Sequence, residues 1–156
     1  MIKYLKYFLI FLFLCSCGYT PTYKVIQKPN FGLDMIIFSG DKKIGRKIEK
    51  NLKKFRNNET KNIFDVDFVS SKTQEVVTKD KKGDPSSFKL IIEVKLNLIN
   101  KTNKKTLEKI FIRESTFDSM DNKFELDQYA NNIEKNMIFN ILEDMNIFFN
   151  IIENDL

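Results

Sequence analysis

The sequence predicts an α+β fold, a two-layer sandwich in which two helices pack on one face of a four-stranded mixed sheet in the order β-α-β-β-β-α. Two observations support this. In several segments of strand length the apolar residues are consecutive or alternate with polar ones. In two longer segments they recur every three or four residues, as on one side of a helix. One layer of helices on the sheet would bury both helical stripes.

The first two predicted elements are a short strand and a basic helix. The apolar run at 33–38 has the length of a strand and ends at a Ser-Gly pair. Asp41 is a preferred N-cap residue for the helix that follows. The helix stripe comprises Ile44, Ile48, Leu52 and Phe55, and the remaining sides carry Lys42, Lys43, Arg46, Lys47, Lys50, Lys53, Lys54 and Arg56. That basic side is either a patch for phosphates or acidic surfaces, or a solvated face in a lysine-rich protein.

Three predicted strands follow. Alternation at 63–69 indicates a half-buried strand, whose extension to residue 77 the pattern leaves open. After a charged loop at 78–87, the segment 88–99 alternates through six apolar positions. Turn residues then lead into its hairpin partner at 105–118. This last strand has apolar residues on both faces, so we expect it to contact something on both.

The last predicted element is a helix of about 30 residues, near 40 Å long and able to cover the whole sheet. Asn122 and Glu125 have the spacing of a capping box at its start. Its stripe comprises Leu126, Ala130, Ile133, Met137, Ile141, Met145, Phe148 and Ile152. An acidic outer face is predicted from Glu134, Glu143, Asp144 and Glu153.

The N-terminus has the layout of a removable export signal. Lys3 and Lys6 precede the apolar run 7–14, and the small Ser16 stands before Cys17. That run is too short to span a bilayer, which takes about 20 residues. We therefore predict a signal peptide at 1–16.

The end of this signal resembles the bacterial lipobox, Leu-x-small-Cys, in which the cysteine is acylated and becomes the first mature residue. The matching residues are Leu14, Ser16 and Cys17, with Cys15 where Ala, Ser or Thr is more usual. The resemblance implies lipidation of Cys17. The expected organisation is then a lipidated lead-in at 17–32 and a single globular α/β domain at 33–156.

Composition excludes several classes of function. There is no His, and both cysteines lie in the signal region, so His-based acid/base chemistry, thiol catalysis and zinc sites are excluded. Loss of Lys3 and Lys6 lowers the net charge from +5 to +3, which is too small to indicate nucleic acid. We expect no catalytic residue, metal or cofactor. A carboxylate hydrolase using Asp65 and Asp67 is the enzyme alternative, but both lie on the polar side of a strand, where solvated charge is the rule.

Several segments resemble one family. The mature N-terminus begins Cys-Gly-Tyr-Thr-Pro-Thr-Tyr at 17–23, and the segment 44–52 reads Ile-Gly-Arg-Lys-Ile-Glu-Lys-Asn-Leu. Further matches lie at Arg113, Phe117, Glu125, Leu126, Tyr129 and Ala130. Together they are similar to the LPS-assembly lipoprotein family, the LptE-like proteins.

The resemblance implies the same sandwich fold and a role that is not enzymatic. Such a lipoprotein plugs an LptD-type β-barrel, helps it to fold and assists delivery of lipopolysaccharide (LPS). Gly18 after the cysteine implies outer-membrane delivery, facing the periplasm. Basic loop residues of the family are matched by Lys81, Lys82 and Lys123, which would pair with lipid A phosphates. The alternative is another outer-membrane lipoprotein, either an adaptor of an envelope assembly machine or a peptidoglycan-binding module.

Overall fold

A computed structural model describes residues 31–57 and 59–154 of the chain. The predictions for the export signal, for Cys17 and for the lead-in up to residue 30 lie outside the described residues. The elements are β1 (Phe31–Gly40), α1 (Lys42–Leu52) with a 3-10 turn (Lys53–Phe55), β2 (Asn62–Lys79), β3 (Pro85–Asn100), β4 (Thr106–Asp118) and α2 (Lys123–Asn154). The fold is α+β in the predicted order, with both helices on one face of a four-stranded sheet.

The sheet is mixed and has the order β1-β2-β3-β4. β1 runs parallel to β2, as expected when a helix connects the two strands, and the other neighbours are antiparallel. β1 pairs with β2 only from Asn62 to Ser70. Beyond Ser70, β2 pairs with β3 alone among the described residues.

Backbone pairing extends β2 and β3 beyond the predicted strands. Their hairpin leaves only residues 80–84 as a turn, where the sequence predicted a loop at 78–87. The additional segments are polar, and the hydroxyl of Thr78 lies 2.7 Å from those of both Ser86 and Ser87. Main-chain and hydroxyl hydrogen bonds hold this part of the hairpin, so apolar alternation does not reveal it.

The first strand and first helix also differ from the prediction at their ends. β1 begins at Phe31, which is buried, so residues 31 and 32 of the predicted lead-in belong to the sheet. Asp41 caps α1 as predicted, with its carboxylate accepting the N–H groups of Lys43 and Ile44, both at 2.9 Å. The α-helix ends at Leu52, and Phe55 lies in the 3-10 turn.

One apolar core lies between the helices and the sheet. It contains alternate residues of β2 and β3, the stripe of α1 and the apolar side of α2. At one end it becomes an aromatic cluster, in which Phe31 stacks on Phe55 and on Phe149 with ring centroids 5.7 Å apart in each case. Within the described residues, neither helix combines the length and apolar character that a bilayer crossing requires.

Candidate functional site

Lys81 and Lys82 are exposed in the turn between β2 and β3, as the sequence predicted. Asp80 organises this turn, because its carboxylate accepts the N–H groups of Lys82 at 2.8 Å and Asp84 at 2.9 Å. Gly83 adopts a φ of 91°, which favours glycine. The backbone of the turn is therefore fixed, while both ammonium groups extend into solvent.

Lys123 is the exposed first residue of α2. Asn122 caps the helix as predicted, by accepting the N–H of Phe124 at 3.0 Å. Glu125 accepts from the side-chain amide of Asn122 at 3.2 Å, instead of from its backbone N–H as in the predicted capping box. The N–H of Ser119 bonds to the carbonyl of Ser86 at 2.9 Å. The segments that carry the three lysines therefore lie at the same end of the sheet. No carboxylate among the described residues pairs with any of the three.

The described chain begins at the opposite end of the sheet. Phe31 pairs with Asn62 at the start of β2, and the N–H of Lys101, in the turn between β3 and β4, bonds to Ile63. β2 has 18 residues, so at about 3.3 Å per residue it is about 60 Å long. The three lysines are thus far from the end where the lead-in joins the sheet.

The basic side of α1 is partly neutralised. Lys43 pairs with Glu134, Lys53 pairs with Glu49, and Lys54 donates to the amide oxygen of Asn146 at 2.8 Å. Partial burial lowers the pKa of Lys54. Within α1 itself, the cations without a carboxylate partner among the described residues are Lys42, Arg46, Lys47 and Lys50. This face remains a second basic surface, to which the structure assigns no ligand.

Glu134 corrects the prediction of an acidic outer face on α2. Its side chain is buried, and its carboxylate oxygens lie 2.6 Å from Nζ of Lys43 and 3.0 Å from Nζ of Lys72. Burial raises the pKa of Glu134, but hydrogen bonds and charges from the two lysines outweigh it, so the net shift is downward. The sequence contained a signal for this position, because residue 134 follows Ala130 by four and precedes Met137 by three on the apolar stripe.

A groove that sequence reasoning missed runs between β4 and the C-terminal half of α2. Its volume is about 610 Å³, and it is lined by Lys109, Ile110, Phe111, Ile112, Arg113, Asp144, Ile147, Phe148 and Ile151. Arg113 pairs with Asp144 across it, and Nζ of Lys109 lies 6.0 Å from the ring centroid of Phe148. We call this the β4 groove. Its walls are apolar, and Lys109 at the rim has no carboxylate partner among the described residues, a composition that suits an amphipathic segment.

The two carboxylates of the enzyme alternative lie on the sheet face that turns away from the helices. Asp65 accepts the backbone N–H of Met35 at 3.2 Å, and Asp67 is exposed beside Ile37 and Asn97. Neither lines the β4 groove. Asp65 therefore has a structural role in holding the bulge of β1 against β2.

The sequence matches no protein-family model and no curated protein. The fold, however, matches solved structures. Rare lipoprotein B from Shewanella oneidensis has a TM-score of 0.54 at 12% identity, over 77% of this chain and 99% of that one. An uncharacterized lipoprotein B from Nitrosomonas europaea has a TM-score of 0.51 at 13% identity, over 74% of this chain and 82% of that one. At such identities the likeness shows a shared fold.

Proposed function

We propose that the protein is an outer-membrane lipoprotein that assists assembly of LPS at the cell surface, as plug and folding partner of an LptD-type β-barrel. The observation that carries the proposal is the fold shared with rare lipoprotein B, whose chain it covers almost completely. The N-terminal sequence supports it independently, because the lipobox-like residues around Cys17 would provide a lipid anchor, as expected of a lipoprotein.

The proposed anchor is acyl chains on Cys17. Each buried methylene contributes about 0.8 kcal/mol, and stable anchoring takes more than one chain. The folded domain would then be tethered at the membrane surface and face the periplasm. In that position the domain would act through its contacts with other molecules.

The surface of the domain suits the polar lumen of a barrel. The sheet face that turns away from the helices carries ion pairs between Lys89 and Glu114 at 2.7 Å and between Lys95 and Glu93 at 3.1 Å. Exposed apolar residues are interspersed with these charges, as at Ile112, which lies opposite Glu93. A mixed surface of this kind can contact a polar wall without leaving a large apolar area in water.

The three lysines at the far end of the sheet are the proposed contacts for LPS. Lipid A phosphates are anions, which lysine pairs with as a point charge. Lys81, Lys82 and Lys123 are exposed, so binding would require little rearrangement of the backbone. The proposed role is binding and positioning rather than catalysis.

Detergent extraction of membranes that contain the affinity-tagged, lipid-anchored protein tests the function. We expect one large outer-membrane β-barrel to co-purify, and identification by mass spectrometry to assign it to the LptD type. A protein that instead sediments with the cell wall and brings down no barrel would be a peptidoglycan-binding module. Co-purification of a different assembly complex would identify an adaptor of that complex and contradict the role in LPS assembly.

A further inference from the structure

β4 has an open and uninterrupted edge at the side of the sheet. Among the described residues it pairs with β3 alone, and all 13 of its residues do so without a register shift. The other open edges in the described part of the sheet are irregular, because β1 has a bulge between Leu33 and Ile36 and β2 has register shifts on either side of Thr78. A regular edge presents a row of backbone N–H and C=O groups with which a further strand can pair.

Apolar side chains flank the middle of this edge on both faces of the sheet. On the outer face, Ile110 and Ile112 are exposed by 54% and 44%. On the helix face, the β4 groove lies along residues 109–113, and Ile147 and Ile151 of α2 are exposed beside it. A strand added at this edge would therefore remove apolar surface from water on both faces, which is favourable.

We propose that the added strand is β4 of a second copy of this chain, antiparallel to the first about a two-fold axis at Ile112. Ile112 is the midpoint of Thr106–Asp118, so an axis there pairs the two strands over their whole length. The two four-stranded sheets then form one continuous sheet of eight strands. Such an interface uses the same surface on both copies, as most homodimers do.

Charge excludes most of the other two-fold registers. Residues directly opposite each other in an antiparallel pair lie on the same face, so the axis must pass through a residue. An axis at any charged residue near the middle of β4 would place that charge opposite its own copy. An axis at Phe111 would place Lys109 opposite Arg113, again two like charges. The charged residues near the middle of the strand are Glu108, Lys109, Arg113 and Glu114.

Two registers place no like charges directly opposite each other, and their lengths distinguish them. An axis at Ile110 pairs only the nine residues Thr106–Glu114, whereas an axis at Ile112 pairs all 13. The longer register also makes better side-chain pairs. It places Ile112 opposite its own copy and Phe111 opposite Arg113, where a guanidinium can lie on the aromatic ring.

The same axis gives the β4 groove an occupant. Because the groove lies along residues 109–113, close to Ile112, the grooves of the two copies face each other across the axis and form one shared apolar volume. Arg113 remains paired with Asp144 of its own chain, so its charge near the axis is balanced. The occupant of each groove is thus the edge of the other copy.

Disulfide formation between copies tests the register. Both cysteines of the sequence precede residue 18, so a chain that begins at residue 17 with Cys17→Ser has no other thiol. In I112C the two thiols meet at the axis, where opposite Cα atoms lie about 4.5–5.5 Å apart, within the range of a disulfide. The matched control is I110C, on the same face of the same strand. Its two thiols are offset by four residues along the pair, about 13 Å.

We expect I112C to form a covalent dimer at least about tenfold faster than I110C under mild oxidation, because pairing raises the effective concentration of its thiols. Random collisions would favour I110C, since Ile110 is the more exposed of the two residues. Equal rates, or faster closure of I110C, would overturn the proposal.

Sedimentation measures the association without oxidation. We expect a dimer with a micromolar Kd, since pairing along one edge buries less surface than a standard interface. I112K should raise that Kd at least about tenfold, because it places two ammonium groups opposite each other and removes an apolar pair. I37K is the control, because Ile37 is 51% exposed on β1, at the other side of the sheet, and this variant should associate like wild type.

Three results would contradict the dimer. They are a wild-type protein that sediments as a monomer at about 0.5 mM, equal losses of association in I112K and I37K with circular dichroism unchanged, and native mass spectrometry that finds a monomer with a co-purified lipid in place of a second copy. Because these tests need only the isolated protein, their failure would leave the proposed function untouched.

Discussion

Glu134 joins three elements through one buried carboxylate. It lies on α2 and pairs with Lys43 of α1 and Lys72 of β2, both of which remain partly exposed. We predict that Glu134→Gln lowers the free energy of unfolding by about 1–3 kcal/mol at pH 7, because the ion pair with Lys43 and the charge-assisted hydrogen bond from Lys72 are lost while the lysines stay hydrated. Urea denaturation measures this. Glu143→Gln, at an exposed position of the same helix, is the matched control and should change stability little.

The same carboxylate makes stability depend on pH. The pKa of Glu134 is lowered in the folded state from an ordinary value of 4.5, so its contribution is complete above about pH 4.5. It is lost as the pH falls through the lowered folded-state value. The stability difference between wild type and Glu134→Gln should therefore shrink in acid. A difference that stays constant from pH 7 to pH 3 would contradict the ion-pair interpretation.

Gly45 is required by packing within α1. A Cβ at this position would lie 2.3 Å from Cδ2 of Phe38, whose ring stacks on Phe68 at 5.6 Å. We predict that Gly45→Ala destabilises the protein by about 1–3 kcal/mol, although alanine favours a helix by about 1 kcal/mol. Combining it with Phe38→Leu should recover part of the loss. If thermal unfolding showed Gly45→Ala to be stabilising, the ring of Phe38 would have to move freely to make room for the added methyl group.

Residue roles were predictable where the reason is local. Asp41 and Asn122 cap helices because their side chains reach N–H groups two or three positions ahead, which spacing reveals. Glu134 was missed because its partners, Lys43 and Lys72, are distant in sequence. A stripe on a helix shows which side is buried, but it does not show whether a charge near that side meets an opposite charge.

At the scale of elements, the turn between β2 and β3 and the start of α2 form one exposed cationic end. We predict that Lys81→Gln, Lys82→Gln and Lys123→Gln together weaken binding of purified LPS by about tenfold, since each exposed ion pair contributes up to about 1 kcal/mol. Thermal stability should be unchanged, because only backbone atoms of Lys82 support the turn. Binding to immobilised LPS measures the effect.

The basic face of α1 supplies the control for that experiment. Lys42→Gln, Lys47→Gln and Lys50→Gln remove the same charge from cations that also have no carboxylate partner among the described residues. A site at the far end of the sheet requires the α1 variant to bind LPS almost as well as wild type. Equal losses in the two triple variants would mean that binding responds only to net charge.

Element type followed from periodicity, whereas element length did not. The prediction of a strand at 88–99 was correct, because its six alternating apolar residues lie against the helices. The outer half of β2 has no apolar side, and residues 71–79 are all exposed. Its strand conformation comes from pairing with β3, a partner that no local pattern reveals.

At the scale of the whole molecule, the aromatic cluster joins the start of β1 to the ends of both helices. Phe149 is completely buried and contacts Phe31, Phe55 and Phe148, with the Phe55 ring 4.8 Å away. We predict that Phe149→Ala lowers the free energy of unfolding by about 3–5 kcal/mol. Phe139→Ala, on the same helix but 59% exposed, should stay within about 0.5 kcal/mol of wild type. Similar losses of unfolding free energy for both variants would mean that the aromatic cluster contributes no more to stability than an exposed phenylalanine does.

The architecture was predictable as a whole because each layer has its own period. The sequence contains two helices with an apolar stripe and several strands with one apolar face. Few arrangements of these elements bury all the apolar faces together. The β4 groove was not predictable, since the sequence does not show which sheet edge lies beside which side of α2. The apolar residues on both faces of β4 did indicate a second contact, and Ile110 and Ile112 remain exposed in the described structure.

Anchoring is the property of the whole molecule on which the proposed function depends. If acyl chains on Cys17 hold the protein at the outer membrane, Cys17→Ala removes the attachment site and leaves the folded domain without an anchor. We predict that this variant leaves the outer-membrane fraction while its circular dichroism and melting temperature stay unchanged. Cys15→Ala is the matched control, because alanine is usual at that lipobox position, and it should remain anchored. Fractionation that finds Cys17→Ala still in the outer membrane would refute the lipid anchor.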